Sequence, residues 1–253
     1  MALSVLVQCG FMILWLVAAT CAQELESYFK DCRIGDERFD KCLRKALNEV
    51  RPLFKDGVPK YGVDKFDPFF AKSVKFKRGL PNANVNLLLK NVYESGWTNS
   101  KITHLKTDLK NNKMVYRQVF PDKRLNGEFE IRGNILGNHL DNAGTWNLSL
   151  TDYVQTTTLT RRPRMDSNGS LTYDNATIEA DIRYESTKGL GMNFGDPMGL
   201  DSPGANALSQ LVNSSWPVGI LFMRNAIDEI VSAAFTDIFT KSFQYFPFEE
   251  MIH

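Results

Sequence analysis

The chain has 253 residues, of which 43% are hydrophobic, 11% aromatic and 23% charged, and its 30 Lys and Arg against 29 Asp and Glu give a formal net charge of +1. This composition excludes an intrinsically disordered chain, which is poor in aromatic residues and far from neutral. It also argues against a general nucleic-acid-binding protein, which needs a basic excess to displace counterions from phosphates. The length allows one large domain or two small ones, and either can bury a sizeable core.

Residues 1–22 have the pattern of a secretory signal peptide. Residues 2–23 contain no charged side chain, and an apolar run is followed by small residues, Thr20 and Ala22, at the −3 and −1 positions of a cleavage before Gln23. An uncleaved anchor helix is the alternative, because the run is nearly long enough to span a bilayer. No later segment approaches ~18 uncharged apolar residues. We therefore expect residues 23–253 to form a single secreted, soluble domain without stable membrane insertion.

Cleavage at that point leaves two cysteines, Cys32 and Cys42, with nine residues between them. An even pair in an oxidising compartment predicts a disulfide. Closing this loop contributes roughly 2–3 kcal/mol in the chain-entropy model. A metal site is the alternative, but it needs more ligands nearby, and the three histidines are distant in sequence: His104, His139 and His253. We expect no metal and no cofactor.

A helix is the first element predicted in the secreted chain. Apolar residues from Phe39 to Phe54 recur at steps of three and four with charged residues between them. Gly57, followed by a proline two residues later, supplies the stop. Cys42 lies inside this helix and Cys32 before it, so the disulfide would pin the N-terminal arm to the helix.

From about Phe69 to Tyr184 the apolar period changes to two. The pattern predicts about seven strands with short turns between them. One-sided alternation over many strands is typical of an antiparallel sheet with an apolar inner face and a wet outer face. The clearest alternating segments are 85–89, 114–120, 125–135, 146–150 and 176–184.

Four Asn-x-Ser/Thr sequons occur in the chain. Asn168 and Asn175 flank a turn-rich stretch, and Asn147 is predicted on the wet face of a strand. Asn213 stands near an apolar helix and is the more crowded position. We therefore predict glycosylation at Asn147, Asn168 and Asn175.

The last third of the chain returns to a helical period. After a Gly/Pro-rich stretch at 189–204, a short helical piece is predicted to end at Val212. A second helix is predicted to start at the candidate caps Ser214 and Ser215, with Pro217 in its first turn.

The apolar stripe of that second helix is unusually wide. It extends from Ile220 to Phe243, well past a normal amphipathic face, whereas Asp228 and Glu229 are expected on a more polar edge. A helix this apolar needs to be surrounded, and the inner face of the sheet is its obvious partner. A sheet curled around a helix leaves gaps, which either side chains or an elongated apolar ligand can fill.

This order of elements, with its landmarks, resembles the takeout/juvenile-hormone-binding protein family of secreted insect carriers. The likeness spans essentially the whole secreted chain. The residues that carry it are Cys32, Cys42-Leu43, Val50-Arg51-Pro52-Leu53, Phe66-Asp67-Pro68-Phe69 before the first strand, and Asn213-Ser214-Ser215-Trp216 before the long helix.

The resemblance implies an α+β fold in which a strongly curved antiparallel β-sheet wraps a long C-terminal helix, with an additional N-terminal helix. It implies a monomeric carrier in haemolymph or another extracellular fluid, with a terpenoid, fatty-acyl or similar lipid in an internal tunnel. Relatives act in feeding, circadian and chemosensory physiology. The hormone-binding branch has a second disulfide, and the secreted chain keeps no cysteines to form it. The resemblance therefore favours the takeout branch rather than the branch that binds juvenile hormone.

The sequence contains none of the common catalytic motifs, neither a Gly-x-Ser-x-Gly elbow nor a His-Glu-x-x-His helix nor a phosphate-binding loop. We therefore predict a non-enzyme. A carrier of a hydrophobic small molecule is the first hypothesis. A secreted interaction or structural glycoprotein with a filled tube is the second, and a secreted hydrolase is a distant third.

The predicted inner faces supply the candidate ligand-binding residues. Each of them could line a tunnel or belong to a packed core, because apolar periodicity alone does not separate the two. They are Phe76, Leu87, Leu89, Phe129, Ile131, Trp146, Leu148, Ile178, Phe222 and Ile230.

Overall fold

The computed structural model describes residues 25–80, 83–135, 138–196 and 203–244, together with Phe246 and Phe248. The predicted signal peptide and the cleavage before Gln23 lie outside the described residues. Within them the chain forms two α-helices, seven strands and several short 3₁₀ turns.

The N-terminal part is helical, as predicted. A 3₁₀ turn at Leu25–Tyr28 precedes helix α1 (Phe39–Val50), and 3₁₀ turns at Arg51–Asp56 and Pro59–Tyr61 follow it. The Cys32–Cys42 disulfide is present and joins the preceding arm to α1. The predicted helix is thus confirmed, but its last turn is 3₁₀. Pro52 is the second residue after α1, and it has no N–H to continue the α-helical hydrogen bonds.

One antiparallel sheet contains all seven strands of the described chain. Their order is β1-β2-β4-β5-β6, with β3 beside β4 and β7 beside β5. The strands are β1 (Phe69–Leu80), β2 (Ala83–Ser95), β3 (Lys101–Asp108), β4 (Lys113–Ile135), β5 (Asn138–Met165), β6 (Leu171–Ser186) and β7 (Gly189–Gly195).

Two strands are longer than the pattern predicted. β4 has 23 residues and β5 has 28, so each pairs with two different strands along one edge. The segments 114–120 and 125–135, predicted as two strands, are one strand, β4. Strand β7 occupies part of the stretch at 189–204 that was predicted as a Gly/Pro-rich connection.

The C-terminal helix is continuous. Helix α2 (Pro203–Ser242) has 40 residues and contains Pro217, so the predicted break after Val212 and new start at Ser214 are wrong. A proline inside a helix costs about 3 kcal/mol. Hydrogen bonds from α2 to the sheet on both sides of Pro217 offset that cost. They join Ser209 and Asn213 to β7, and Ser232 to β6.

Polar side chains spaced four residues apart join α2 to the free edge of β6. Each accepts a hydrogen bond of 2.8–3.0 Å from a backbone N–H of every second residue of the strand. Four helical residues rise about 6.0 Å and two strand residues about 6.7 Å, so the two periods match. The pairs are Asp228 with Tyr184, Ser232 with Ile182, Thr236 with Ala180, and Thr240 with Ile178.

Asp228 therefore does not lie on a polar edge. Its side chain is buried, with 5% of the residue exposed, whereas Glu229 is exposed as expected. A carboxylate tolerates this position because the Tyr184 N–H donates to it and Arg224 lies at 4.0 Å.

Helix α1 seals the edge of β3 in a similar way. Asn48 exchanges two hydrogen bonds with the backbone of Ile102, and Asp40 accepts one from the Thr107 N–H. Between them, Arg44 donates to the carbonyl of Thr103. Covering an edge in this way satisfies its backbone groups and prevents pairing with another chain.

The sheet is strongly curved, as the contacts of α2 with both of its edges show. It pairs with β6, and its Phe235 ring lies 6.3 Å from the ring of Phe69 at the start of β1. A flat sheet would hold β1 and β6 about 19 Å apart, beyond the reach of a helix ~10–12 Å wide. The sheet therefore curls around the helix, as predicted.

Two of the sequons predicted as glycan sites can be placed. Asn147 and Asn168 are exposed, whereas the side chain of Asn175 lies outside the described residues. The amide of Asn213 exchanges two hydrogen bonds with the backbone of Met192, and a glycan on that nitrogen would compete with them. Glycosylation at the first three positions remains a prediction.

Candidate ligand-binding cavity

A cavity of about 300 Å³ lies between α1, the inner face of the sheet and the end of α2. The N-terminal wall is the apolar face of α1 with the turns around it, and the sheet wall comes from β3, β4, β5 and β6. The main apolar residues of these walls are Phe29, Leu43, Leu47 and Val50 on one side and Ile102, Met114, Leu159 and Ile178 on the other.

Phenylalanines close the third side of the cavity. Phe239 lies in the last turn of α2, and Phe243, Phe246 and Phe248 follow the helix. The rings of Phe243, Phe246 and Phe248 stand 4.9–6.1 Å apart in pairs. This geometry is favourable for aromatic packing, so the described C-terminal residues form a continuous apolar wall.

The cavity extends along β4. Lys113 and Gln118 both line it, and five strand residues span about 17 Å. At the outer end, Asn112 and Lys113 are exposed and Arg161 is half-buried. At the inner end, Gln118 is 1% exposed.

The inner end contains a buried cation, Arg51, which is 3% exposed. Its Nη1 donates to the Ser100 carbonyl at 2.8 Å and to Asn48 Oδ1 at 3.2 Å, and the guanidinium carbon lies 5.2 Å from the centre of the Trp97 ring. Among the described residues, its buried Nε has no hydrogen-bond partner.

Burial lowers the pKa of Arg51 to about 10. The guanidinium is therefore still protonated at neutral pH. Because the folded pKa is below the unfolded one, the charge opposes folding at every pH below that value, by roughly 3 kcal/mol. The inner end of the cavity thus holds a desolvated positive charge.

Neutral polar groups stand beside this charge. Gln118 Nε2 donates to Ser100 Oγ at 2.6 Å. Burial raises the pKa of Tyr116, which stays neutral, and its hydroxyl is hydrogen-bonded to Thr157. These groups can orient a polar atom of a ligand next to Arg51.

Of the residues predicted to bind ligand, Ile178 lines this cavity. Five others form a continuous half-buried surface at the far end of β1, β2 and β4. There Leu87 pairs with both Phe76 and Ile131, and Leu89 pairs with Phe129.

The remaining candidates are dispersed. Trp146 is buried and donates to the Glu128 carbonyl at 3.4 Å, Leu148 packs against the cluster around Phe120, and Ile230 is half-buried on α2. The side chain of Phe222 lies outside the described residues. None of these residues is among those that line the described cavity, and their part in ligand binding remains a proposal for a second segment of the tunnel.

Sequence reasoning missed the wall formed by α1 and the C-terminal phenylalanines. The apolar face of α1 was visible in the sequence, but nothing in its period indicates that it borders space. One signal was available. Arg51 follows Leu47 by four residues and so continues the apolar stripe of the helix, where a charge needs a partner.

Residues 11–253 match the sequence model of the haemolymph juvenile hormone binding protein (JHBP) family. The chain belongs to this family. The fold of the chain is similar to that in the crystal structure of Takeout 1 from Epiphyas postvittana. It is 16% identical, with a TM-score of 0.57 over 88% of this chain and 98% of that one.

A second structure, lipopolysaccharide binding protein, is 13% identical, and the match covers 79% of this chain and 38% of that one. Its TM-score of 0.32 is too low to show a common fold. No curated protein sequence matches the chain. In the described residues, no helix is long and apolar enough to cross a membrane, and no group of three or more His, Cys, Asp or Glu could hold a metal ion.

Proposed function

We propose that this JHBP-family protein is a secreted, monomeric carrier that binds one elongated hydrophobic molecule in the cavity beside α1. Terpenoids, fatty-acyl chains and similar lipids are the ligand classes. The observation that carries the proposal is an apolar cavity inside the domain with walls from three separate parts of the fold. Protein interiors normally keep few voids larger than a water molecule, and a space of this size lined mainly by apolar side chains favours an apolar occupant.

The energetics allow useful affinity. A chain that buries ~300–400 Å² of apolar surface gains ~7–10 kcal/mol at about 25 cal/mol/Å². Ordering costs reduce this gain, which leaves enough for a micromolar dissociation constant. Binding should depend little on salt, since apolar burial supplies most of the free energy.

Secretion is supported by the apolar leader at residues 1–22 and by the disulfide between Cys32 and Cys42. The absence of cysteines for a second disulfide in the secreted chain favours the takeout branch of the family. A glycoprotein with a filled tube is the competing hypothesis, and it predicts no exchangeable ligand.

Two matched substitutions on β5 test the proposal. Leu159 and Leu148 are both half-buried, but Leu159 lines the cavity and Leu148 packs against the cluster around Phe120. Leu159→Trp should fill the space, with a large loss of binding and little loss of stability. If the cluster around Phe120 is packed and is not a second segment of the tunnel, Leu148→Trp should overpack it and destabilise the fold by ~1–3 kcal/mol.

The measurements are displacement of a fluorescent fatty-acid or terpenoid probe and the midpoint of thermal unfolding. If the wild-type protein binds no probe, and Leu159→Trp destabilises the fold as much as Leu148→Trp, the carrier hypothesis is wrong. The filled-tube hypothesis would then stand.

A further inference from the structure

We infer that the cavity takes an acidic lipid, a long-chain carboxylate whose head group binds at the inner end beside Arg51. This inference rests on the proposed carrier function and narrows its ligand class. The tail would run along β4 toward the outer end, between the apolar faces of α1 and the sheet.

Arg51 is the exception among the buried charges. Four charged side chains of the described chain are buried: Arg51, Glu94, Lys123 and Asp228. Lys123 is ion-paired with Glu94, and Arg224 approaches Asp228. Arg51 has no carboxylate within 4.0 Å among the described residues. Its hydrogen-bond partners are carbonyl, amide and hydroxyl oxygens, all reached from Nη1.

The wall of the cavity is positively charged. The described lining includes three cationic side chains, those of Arg51, Lys113 and Arg161, and no acidic one. A neutral ligand would leave the buried charge of Arg51 without a carboxylate partner. A carboxylate would neutralise it and could accept from the Arg51 guanidinium, whose Nε is buried without a partner.

The surroundings of the three cations favour the inner end of the cavity over the outer end as the site of the head group. Lys113 is exposed, so water and salt weaken its attraction for an anion. Arg161 already donates to the Tyr173 carbonyl and lies 5.2 Å from the ring of Phe248. Arg51 is shielded from water, where a charge–charge contact is stronger, and Gln118 and Tyr116 offer further polar contacts to the carboxylate.

The test compares a fatty acid with its own methyl ester, which keeps the chain and removes the charge. Dissociation constants for dodecanoate and methyl dodecanoate are measured at pH 7.5 by displacement of a neutral fluorescent probe. The wild-type protein should bind the acid at least tenfold more tightly than the ester. Arg51→Met keeps the apolar stem and should abolish this preference while the affinity for the ester stays within about threefold.

Arg44→Met is the matched control. Arg44 also lies in the α1 region and donates to a backbone carbonyl of the sheet, that of Thr103, but it does not line the cavity. This variant should keep the wild-type preference. Arg51→Lys, which keeps the charge, should restore a large part of the preference lost in Arg51→Met.

Three outcomes would overturn the inference, and the first two are distinguishable from failure of the carrier hypothesis. Equal binding of acid and ester by the wild-type protein leaves a carrier without a head-group site. Loss of the preference in Arg161→Met but not in Arg51→Met places the carboxylate at the outer end. Binding of neither compound refutes the carrier hypothesis itself. If Arg51→Met does not fold, the wild-type ratio of acid to ester still tests for a head-group site, and retention of the preference in Arg161→Met places that site at the inner end.

Discussion

The contact between α2 and β6 depends on hydroxyl groups that can be removed one at a time. Thr236 is the clearest case, because its Oγ1 accepts from the Ala180 N–H at 2.9 Å and donates to the Ala180 carbonyl at 3.3 Å. Ala180 is 3% exposed, so water does not replace the hydroxyl when it is lost. Thr236→Val keeps the shape of the side chain and leaves both backbone groups unpaired.

The expected loss of unfolding free energy for Thr236→Val is ~1–3 kcal/mol, which is the desolvation cost of an unsatisfied buried polar group. Thr236→Ser is the control, since it keeps the hydroxyl and deletes a methyl group worth at most ~0.8 kcal/mol. Thr, Ser and Val have similar helix propensities, so the difference between the variants reports the hydrogen bonds.

Urea unfolding at equilibrium measures both variants, and amide hydrogen exchange at Ala180 reports the local contact. Exchange at this amide should accelerate in Thr236→Val and change little in Thr236→Ser. If Thr236→Val is as stable as the wild-type protein, or if Thr236→Ser costs as much as Thr236→Val, hydroxyl pairing does not stabilise the docking of α2.

Three further perturbations test other parts of the fold. Asp228→Ala should lose ~2 kcal/mol or more in urea unfolding, because it leaves the buried Tyr184 N–H unpaired, whereas Glu229→Ala should stay within ~0.5 kcal/mol. Hydrogen bonding from Tyr61 is the main cause that lowers the pKa of Glu26 to about 2. The stability this carboxylate contributes is therefore present above pH 4.5 and should be lost as the pH falls toward 2, and Glu26→Gln should flatten that part of the stability profile. Reduction of the disulfide should lower the thermal midpoint, with a loss of roughly 2–3 kcal/mol, and an unchanged midpoint would contradict it.

The sequence was sufficient for the class of fold, because alternation along 125–135 and the wide stripe of α2 each depend on local periods. It was not sufficient for the extent of the elements. The break expected between Val212 and Ser214 is absent, since contacts of α2 with β7 outweigh the local preference. Such contacts join residues far apart in the chain, and no local pattern records them.

Asp228 was misplaced for a related reason. With Ser232, Thr236 and Thr240 it forms a polar stripe at a spacing of four, which in sequence is identical to the solvated edge of a helix. Whether water or the free edge of β6 satisfies these groups depends on the position of a strand more than 40 residues away. The period identifies the stripe, and the fold identifies its partner.

The cavity was predicted least well. Periodicity separates inward from outward residues, but it does not show where inward residues fill the space and where they leave it open. Phe129 and Leu43 are both correctly read as apolar, yet Phe129 packs on Phe194 and Leu43 lines the cavity. This distinction depends on volumes summed over several elements.

Arg51 is the residue at which the sequence pattern and the proposed head-group site coincide. Its position in an apolar helical stripe requires a partner for a buried charge, and this requirement can be read from the sequence. The fold then supplies a carbonyl, an amide oxygen and a hydroxyl, but no carboxylate among the described residues. A structural arginine would be expected to complete its ion pair within the chain, as Lys123 does with Glu94. An arginine that lines an apolar cavity and lacks that anion is instead suited to receive it from a ligand.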